Sequence, residues 1–454
     1  MKPRQGALAI VLHTHMPYVE GFGTWPFGEE WLWEAIASSY VPMLDTVLGR
    51  APITLSLTPV LCDQLEAPGA MERCVRFLDE IRPASHALDI KEYAGDPVLV
   101  AELRRSEAEY ARVAERLRST DLLAALGRHA AWTSAATHPV LPLLATDTGI
   151  ALQLQTGIAS HRRRFGGEWG GGFWLPECAH APWLDPLLEE AGVRASCVEL
   201  TGIFGLGDPR HLAPLLTEAG PTLWPIDRQT MALVWNAGGY PACGPYRSRG
   251  RRTERDHRIW NNDGGVYDHA AALTLAAEHA RDFVNRAQAR VADGGVCVCA
   301  FDTELLGHWW YEGVAWLAAV IAEADRAGLA LTTLDDALES AEPAGAAPDG
   351  ITTWGEGGNL STWSSPAVAE FAWRARSAEL QLLAGGDLRP PERALRELLA
   401  LQASDWAFLE TRGWAGDYAR ERMRGHAGTF ERAIAGELEG ELRNLAPELV
   451  GWRA

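Results

Sequence analysis

The chain has 454 residues, 47% of them hydrophobic, which suits one large body carrying appended or inserted helices better than a single small domain. Sixty acidic side chains against 41 basic ones leave a formal charge of −19, which repels nucleic acid and anionic membrane surfaces. No apolar run approaches the roughly 18 residues of a membrane span, and the seven cysteines are scattered and never paired as CxxC, which speaks against a disulfide framework or a zinc knuckle. The apolar stretch before His13 is too short for a signal peptide, so a cytoplasmic protein is expected.

Taken in chain order, the short runs rich in Val, Ile and Leu at 7–12, 53–57, 173–175, 196–198 and 296–301 predict strands. Helical spacing over 102–118, 267–289 and 314–327 places long helices between them, the pattern of a parallel α/β body. Residues 62–140 are rich in Ala, Leu, Glu and Arg and read as a helical insertion. Residues 351–454 read as a C-terminal α-helical domain, leaving 1–61 and 141–350 for the α/β body.

In such a body the working residues sit where strands end. Four places qualify: His13-Thr14-His15, Trp174-Leu175-Pro176-Glu177, Glu199, and Phe301-Asp302-Thr303-Glu304. Glu177 and Asp302 are carboxylates at the ends of two different strands, the pair that glycosidic-bond chemistry needs, one to attack and one to protonate the leaving oxygen. Helix capping or pairing with arginine is the alternative for each. His13 and His15 share one strand face and suit either a metal or sugar hydroxyls. His138 stands alone, as a structural histidine does. His308-Trp309-Trp310 follows Asp302 closely, so the imidazole can orient a carboxylate while the indoles form a platform or pack a helix. Nineteen tryptophans are many for a soluble core, and flat rings in a cleft stack on sugars or bases; the acidity favours sugar.

These residues carry a resemblance to glycoside hydrolase family 57, and within it to the 1,4-α-glucan branching enzymes. His13-Thr14-His15-Met16-Pro17-Tyr18 resembles the family's first motif, and Trp25-Pro26, Gly28-Glu29, Trp31-Leu32, Glu34-Ala35 and Tyr40 resemble its branching-enzyme continuation. Ser134–His138 is similar to the second motif, and Trp174–Ala179 to the third, whose glutamate is the nucleophile. Phe301–Leu305 with Gly307–Trp310 is similar to the fourth, whose aspartate is the general acid/base. At the fifth, around Leu331–Leu334, the usual acidic or aromatic continuation is replaced by Asp335-Asp336.

The resemblance implies a (β/α)7 barrel, an incomplete relative of the eight-stranded kind, with an inserted helical segment and a helical C-terminal domain that completes a glucan groove. It implies a retaining mechanism on an α-1,4-glucan with Glu177 and Asp302 as the catalytic pair and with no metal or other cofactor. His13, His15, His138 and His308 would hold the sugar, with Trp25, Trp31, Trp309, Trp354, Trp363 and Trp406 as stacking surfaces. Branching members carry a tyrosine on a mobile loop after the nucleophile; residues 201–226 contain none here. Tyr240 and Tyr246 are the next candidates, so substantial hydrolysis beside transfer is expected. The alternatives are an α-1,4-glucan hydrolase, a 4-α-glucanotransferase, a metal-dependent deacetylase or mannosidase, and a glucan-binding protein without catalysis.

Overall fold

The computed structural model describes residues 6–23, 27–385, 390–437 and 443–452. Ten strands order it: β1 (Ala7–Thr14), β2 (Thr54–Leu57), β3 (Ala130–Ser134), β4 (Phe173–Trp174), β5 (Ala195–Val198), β6 (Leu215–Leu216), β7 (Thr222–Pro225), β8 (Val296–Asp302), β9 (Ala330–Thr332) and β10 (Gly345–Ala346). Seven of them run parallel around a barrel. β1 lies between β2 and β8, β2 pairs with β3, and β3 pairs with β4. A single parallel bridge from Gly172 to Ala195 carries the wall on to β5, which pairs with β7. The Asp227 amide, just past β7, donates to the Val298 carbonyl of β8 at 2.8 Å. The order β1-β2-β3-β4-β5-β7-β8 is the expected incomplete (β/α)7 barrel, with thin seams at β4/β5 and β7/β8. The other three strands decorate it: β9 shares one edge of β1 with β2, while β6 and β10 extend β7.

Strands buried on both faces need apolar side chains at every position rather than alternate ones. β1 (ALAIVLHT) and β8 (VCVCAFD) meet that demand, and their polar residues fall only at the C-terminal ends. Between the strands, the helices Pro97–Arg118 and His269–Arg290 begin at Asp96 and Asp268, whose carboxylates accept amide hydrogens of the first turn.

The stretch 62–140 is not helical throughout. It contains helices to Gly127 and then β3, a central barrel strand. Ala130-Ala131-Trp132-Thr133-Ser134 has weak intrinsic strand preference; hydrogen bonding to β2 on one side and β4 on the other imposes it.

The helices Ala369–Ala384, Glu392–Leu401, Ser404–Arg412 and Tyr418–Ile434 build a second hydrophobic core. That core includes Tyr18, Val60, Val140 and Ala179, residues of the segments that follow barrel strands, so the helices pack against the barrel mouth. Trp363 and Trp406, expected as stacking surfaces, lie inside it at 2% and 1% exposure. The Trp406 indole donates to the Ala400 carbonyl at 2.7 Å and stacks on His426, leaving no ring face for a ligand. Among the described residues no helix is long and apolar enough to cross a membrane. Trp406→Ala is expected to cost about 3–5 kcal/mol of stability. A denaturation midpoint equal to that of the parent chain would contradict this core role.

Candidate active site

Strand register brings the first groups together. Pairing of β1 with β2 and β8 places His13 beside Ser56 and beside Asp302. His13 and His15 leave β1 on one face, and the loop after β3 returns His138 to them, the rings of His15 and His138 lying 4.1 Å apart and those of His13 and His138 5.0 Å. Trp174, at the end of β4, stacks on His13 at 4.5 Å.

The hydrogen bonds fix where the protons sit. Ser404 donates from Oγ to Glu177 Oε1 at 2.8 Å, so it must accept from His138 Nδ1 at 2.9 Å. His138 Nε2 then accepts from His13 Nε2 at 3.0 Å, and His13 Nδ1 accepts from Ser56 Oγ at 3.4 Å. Both rings are neutral in this chain. Burial holds each well below the ordinary histidine range, and the neighbouring histidines push in the same direction. His15 behaves differently. Burial opposes its charge, but Asp405 at 2.9 Å, helped by Glu304 and Glu177, outweighs that penalty and raises it. With these nitrogens already engaged, no three His, Cys, Asp or Glu side chains converge as metal ligands among the described residues.

Glu177 sits in a tight turn with φ 63° and ψ 20°, and His138 has φ 58°. Left-handed backbone at a residue other than glycine costs on the order of 1–3 kcal/mol and persists only where surrounding contacts enforce it. Residues beyond 351 supply those contacts. Trp354 donates its amide to the Glu177 carbonyl at 3.0 Å and its indole to Oε2 at 2.8 Å. Ser404 donates its amide to the His138 carbonyl at 3.0 Å, and paired bonds between His180 and Thr352 staple the segment to the loop after Glu177. Arg228 holds the Trp354 carbonyl at 2.9 Å while paired with Glu199, which is the structural use of that strand-end carboxylate.

The two carboxyl groups have unlike surroundings. Burial raises Glu177, with Asp405 adding to it, but the donors Trp354 and Ser404 and the charge on His15 favour its anion. Asp302, half-buried at the end of β8, is raised well above the usual carboxylate range by burial, then by Glu304 and Glu177, with only His15 opposing. Glu304 is itself pushed up to about 7 by burial, against hydrogen bonds from Tyr40 at 2.5 Å and the His15 amide at 3.2 Å. Burial thus raises both carboxyls, and hydrogen-bond donors oppose the shift at Glu177 whereas only the charge of His15 opposes it at Asp302.

Beside this centre runs a groove of about 970 Å³ lined by Trp31, His308 and Trp309, among others. Glu177 and Asp302 are outside its lining; it meets the loop that follows Asp302. That loop lies close against the segment before residue 40. Gly307, at φ 100°, admits the Ser38 carbonyl where a Cβ would clash, and Ser38 Oγ reaches His308 Nδ1 at 3.4 Å.

The structure thus gathers His13, His15, His138, Glu177, Asp302 and Trp354 at one centre and puts Trp31, His308 and Trp309 along the groove. Trp25 lies outside the described residues. Tyr240 is no lid: it is buried, donates to Asp282 at 2.7 Å and stacks on His279, and Tyr246 is buried against the same histidine. Glu304, which closes the strand end Phe301–Glu304, and Ser404 and Asp405, from the family-like run that ends at Trp406, join the central cluster, and Ser56 and Thr58 touch it without having been singled out. Ser56 and Thr58 carried a usable signal, polar residues closing the apolar strand β2; the contact of Ser404 and Asp405 with residues more than 200 positions earlier carried none in spacing.

A parallel barrel with unlike carboxyls at its strand ends, capped by helices that reach into the centre, is the architecture of a carboxylate-pair enzyme. The family model described as glycosyl hydrolase family 57 matches residues 114–348, and the one described as the 1,4-alpha-glucan branching enzyme C-terminal domain matches 382–445. The chain is 32% identical to the 1,4-alpha-glucan branching enzyme TK1436 of Thermococcus kodakarensis over 96% of its own length and 74% of that protein's. It is 30% identical to a probable 1,4-alpha-glucan branching enzyme of Mycobacterium tuberculosis, over 99% of this chain and 96% of that one. The crystal structure of a GH57-type branching enzyme from Pyrococcus horikoshii superposes with a TM-score of 0.88 at 30% identity, covering 97% of this chain and 93% of that one. The chain belongs to glycosyl hydrolase family 57.

Nitrogen-15 NMR of the histidines checks the proton assignment. His13 is expected to carry its proton on Nε2 and His138 on Nδ1, both neutral down to the acid limit of the fold, and Asp405→Asn is expected to lower the pKa of His15. A positive charge on His13 or His138 near about pH 6 would contradict the network.

Proposed function

We propose that the protein is a retaining 1,4-α-glucan branching enzyme, which cuts an α-1,4 linkage and rejoins the released chain through an α-1,6 linkage. The observation that carries this reading is the unequal hydrogen bonding of the two carboxyls. Glu177, with two donors on its oxygens, is suited to attack as an anion and form a covalent glycosyl-enzyme. Asp302, with none among the described residues, is suited to keep a proton for the leaving glucan oxygen and then to take one from the acceptor hydroxyl. His15, raised chiefly by Asp405 against burial, favours the charged forms of Glu177 and Glu304 and so limits the mutual repulsion of these groups. His13 and His138, buried with both ring nitrogens engaged, hold Ser404 and through it Glu177 in place, and the groove along Trp31, His308 and Trp309 accommodates the chain. The branching-enzyme C-terminal domain match and the names of the relatives support transfer to α-1,6 positions, and with it a part in building a glycogen-like polysaccharide. The free cysteines among the described residues support a reducing, cytoplasmic setting.

A second reading, net hydrolysis of α-1,4-glucan, is favoured by one feature. The segment after β5 carries exposed Ile203 and Leu206 and no tyrosine, and Tyr240 and Tyr246 are locked in the core. Without a closing aromatic, water competes with the sugar acceptor for the intermediate.

Incubation with amylose separates the readings: branching yields new α-1,6 linkages in excess of new reducing ends, whereas reducing ends accumulating with no α-1,6 linkage would defeat it. Glu177→Gln and Asp302→Ala are each expected to lower turnover by several orders of magnitude, and retention of more than a few per cent would refute that residue's role. Activity should fall as pH drops through the raised pKa of Glu177, which then protonates, and as pH climbs through that of Asp302, which then loses its proton. Glu304→Gln removes the charge that chiefly holds the Asp302 proton after burial, so the alkaline limb should move to lower pH. An unmoved limb would dissociate Glu304 from Asp302.

A further inference from the structure

The groove beside His308 contains an uneven distribution of charge that the reaction on a neutral glucan does not use. Arg249, Arg252 and Arg258 all lie in its lining, in a chain whose acidic residues outnumber its basic ones by 60 to 41. Other arginines of the same groove find carboxylates: Arg82 is paired with Glu34, and Arg247 with Glu102. The three here share one. Arg252 reaches Asp256 at 2.5 Å, Arg258 donates to the His308 carbonyl at 2.9 Å, and among the described residues Arg249 has no carboxylate within ion-pair distance. Arg249 is instead stacked 3.8 Å above the ring of Trp309 and 5.0 Å from that of Trp414.

The nearest other acids do not neutralise the cluster. Glu34 is held by Arg82 and Tyr110, and Glu30 is shifted toward its neutral form by burial and by Glu34. The electrostatic effect is visible on the groups themselves. Burial and the two other arginines lower Arg249 to about 10, burial with Arg252 and Arg247 lowers Arg258, and His308 is driven to about 3 by burial and then by all three guanidinium groups. Guanidinium groups held close together with spare donors are what a phosphate or carboxylate recognises, and an indole under one of them fixes its plane.

We infer that Arg249, Arg252 and Arg258 form an oxyanion-binding site in the wall of the substrate groove, which takes an anionic substituent, such as a phosphate monoester, borne on the glucan chain itself. The inference rests on the groove being the glucan site, as proposed above, and extends the substrate class from neutral glucan to glucan carrying acidic groups. Trp309 and Trp414 lie directly beside the cations, so a sugar stacked there brings its substituent within their reach. The chain's overall negative charge disfavours such a ligand, and the local cluster is what offsets that repulsion.

Calorimetric affinities of maltoheptaose and of maltoheptaose carrying one phosphate monoester provide the test, each measured at low and high salt on the parent chain, on R249Q/R252Q and on R249K/R252K. The phosphorylated sugar is expected to bind about tenfold more tightly at low salt, with the advantage shrinking at high salt, lost in the glutamine variant and largely restored in the lysine variant. Because the readout is the ratio of two ligands on one protein, a general weakening of the groove does not imitate it. Equal affinity of the two sugars, or an unchanged ratio in the glutamine variant, overturns the inference while leaving the α-glucan reading intact. Inorganic phosphate binding as tightly as the phosphorylated sugar overturns it too, by making this a site for the free anion. If neither sugar binds and amylose is not turned over, the α-glucan reading fails, and the inference with it.

Discussion

Glu177 is held in a backbone conformation that it would not adopt alone, and its carboxylate oxygens are each occupied by a donor from distant parts of the chain. The indole of Trp354 and the hydroxyl of Ser404 make those bonds, 177 and 227 residues along the sequence. Everything else in the centre is arranged around them. Ser404 can donate to Glu177 only if His138 donates to Ser404, which fixes the tautomer of His138 and through it that of His13. The helices over the barrel mouth are thus part of the chemical site rather than a lid upon it, and the hydrophobic core beneath Trp363 and Trp406 is what keeps Ser404 in place.

The contrast between the two carboxyls follows from the same arrangement. Both are desolvated, and desolvation alone would raise both alike. Hydrogen bonds to the charged form offset that penalty for Glu177, while Asp302 faces Glu304 and Glu177 with no donor of its own. Both groups are raised, but less is set against the shift of Asp302, because Glu177 receives donors from Trp354 and Ser404 while Asp302 is opposed by His15 alone.

How much of this was legible beforehand differs by element. β1 and β8 could be located because their apolar runs are continuous and end at His13, His15 and Asp302; the same rule pointed to Glu177. β3 could not, because Ala-Ala-Trp-Thr-Ser is a strand only by virtue of its neighbours, and β7 carries a proline at its end. Nor could the division of the tryptophans be foreseen. Trp354 and Trp406 look alike in sequence, yet one bonds a carboxylate in the cleft and the other is sealed in a core, a distinction created by packing. Ser404 and Asp405 stood beside the residue that drew attention, but spacing offered no hint that a hydroxyl and a carboxylate near position 404 would meet histidines near 13 and 138.

The paired bonds between His180 and Thr352, and those of Ser404 to His138 and Glu177, have a consequence for the order of events on the ribosome. The barrel strands are all translated before Ser404, which emerges 227 residues after Glu177. A nascent chain whose barrel has already closed still has its glutamate without one of its two side-chain donors and its mouth uncovered. Vectorial synthesis therefore completes the hydrogen bonding of Glu177 only after the helical part has emerged and docked.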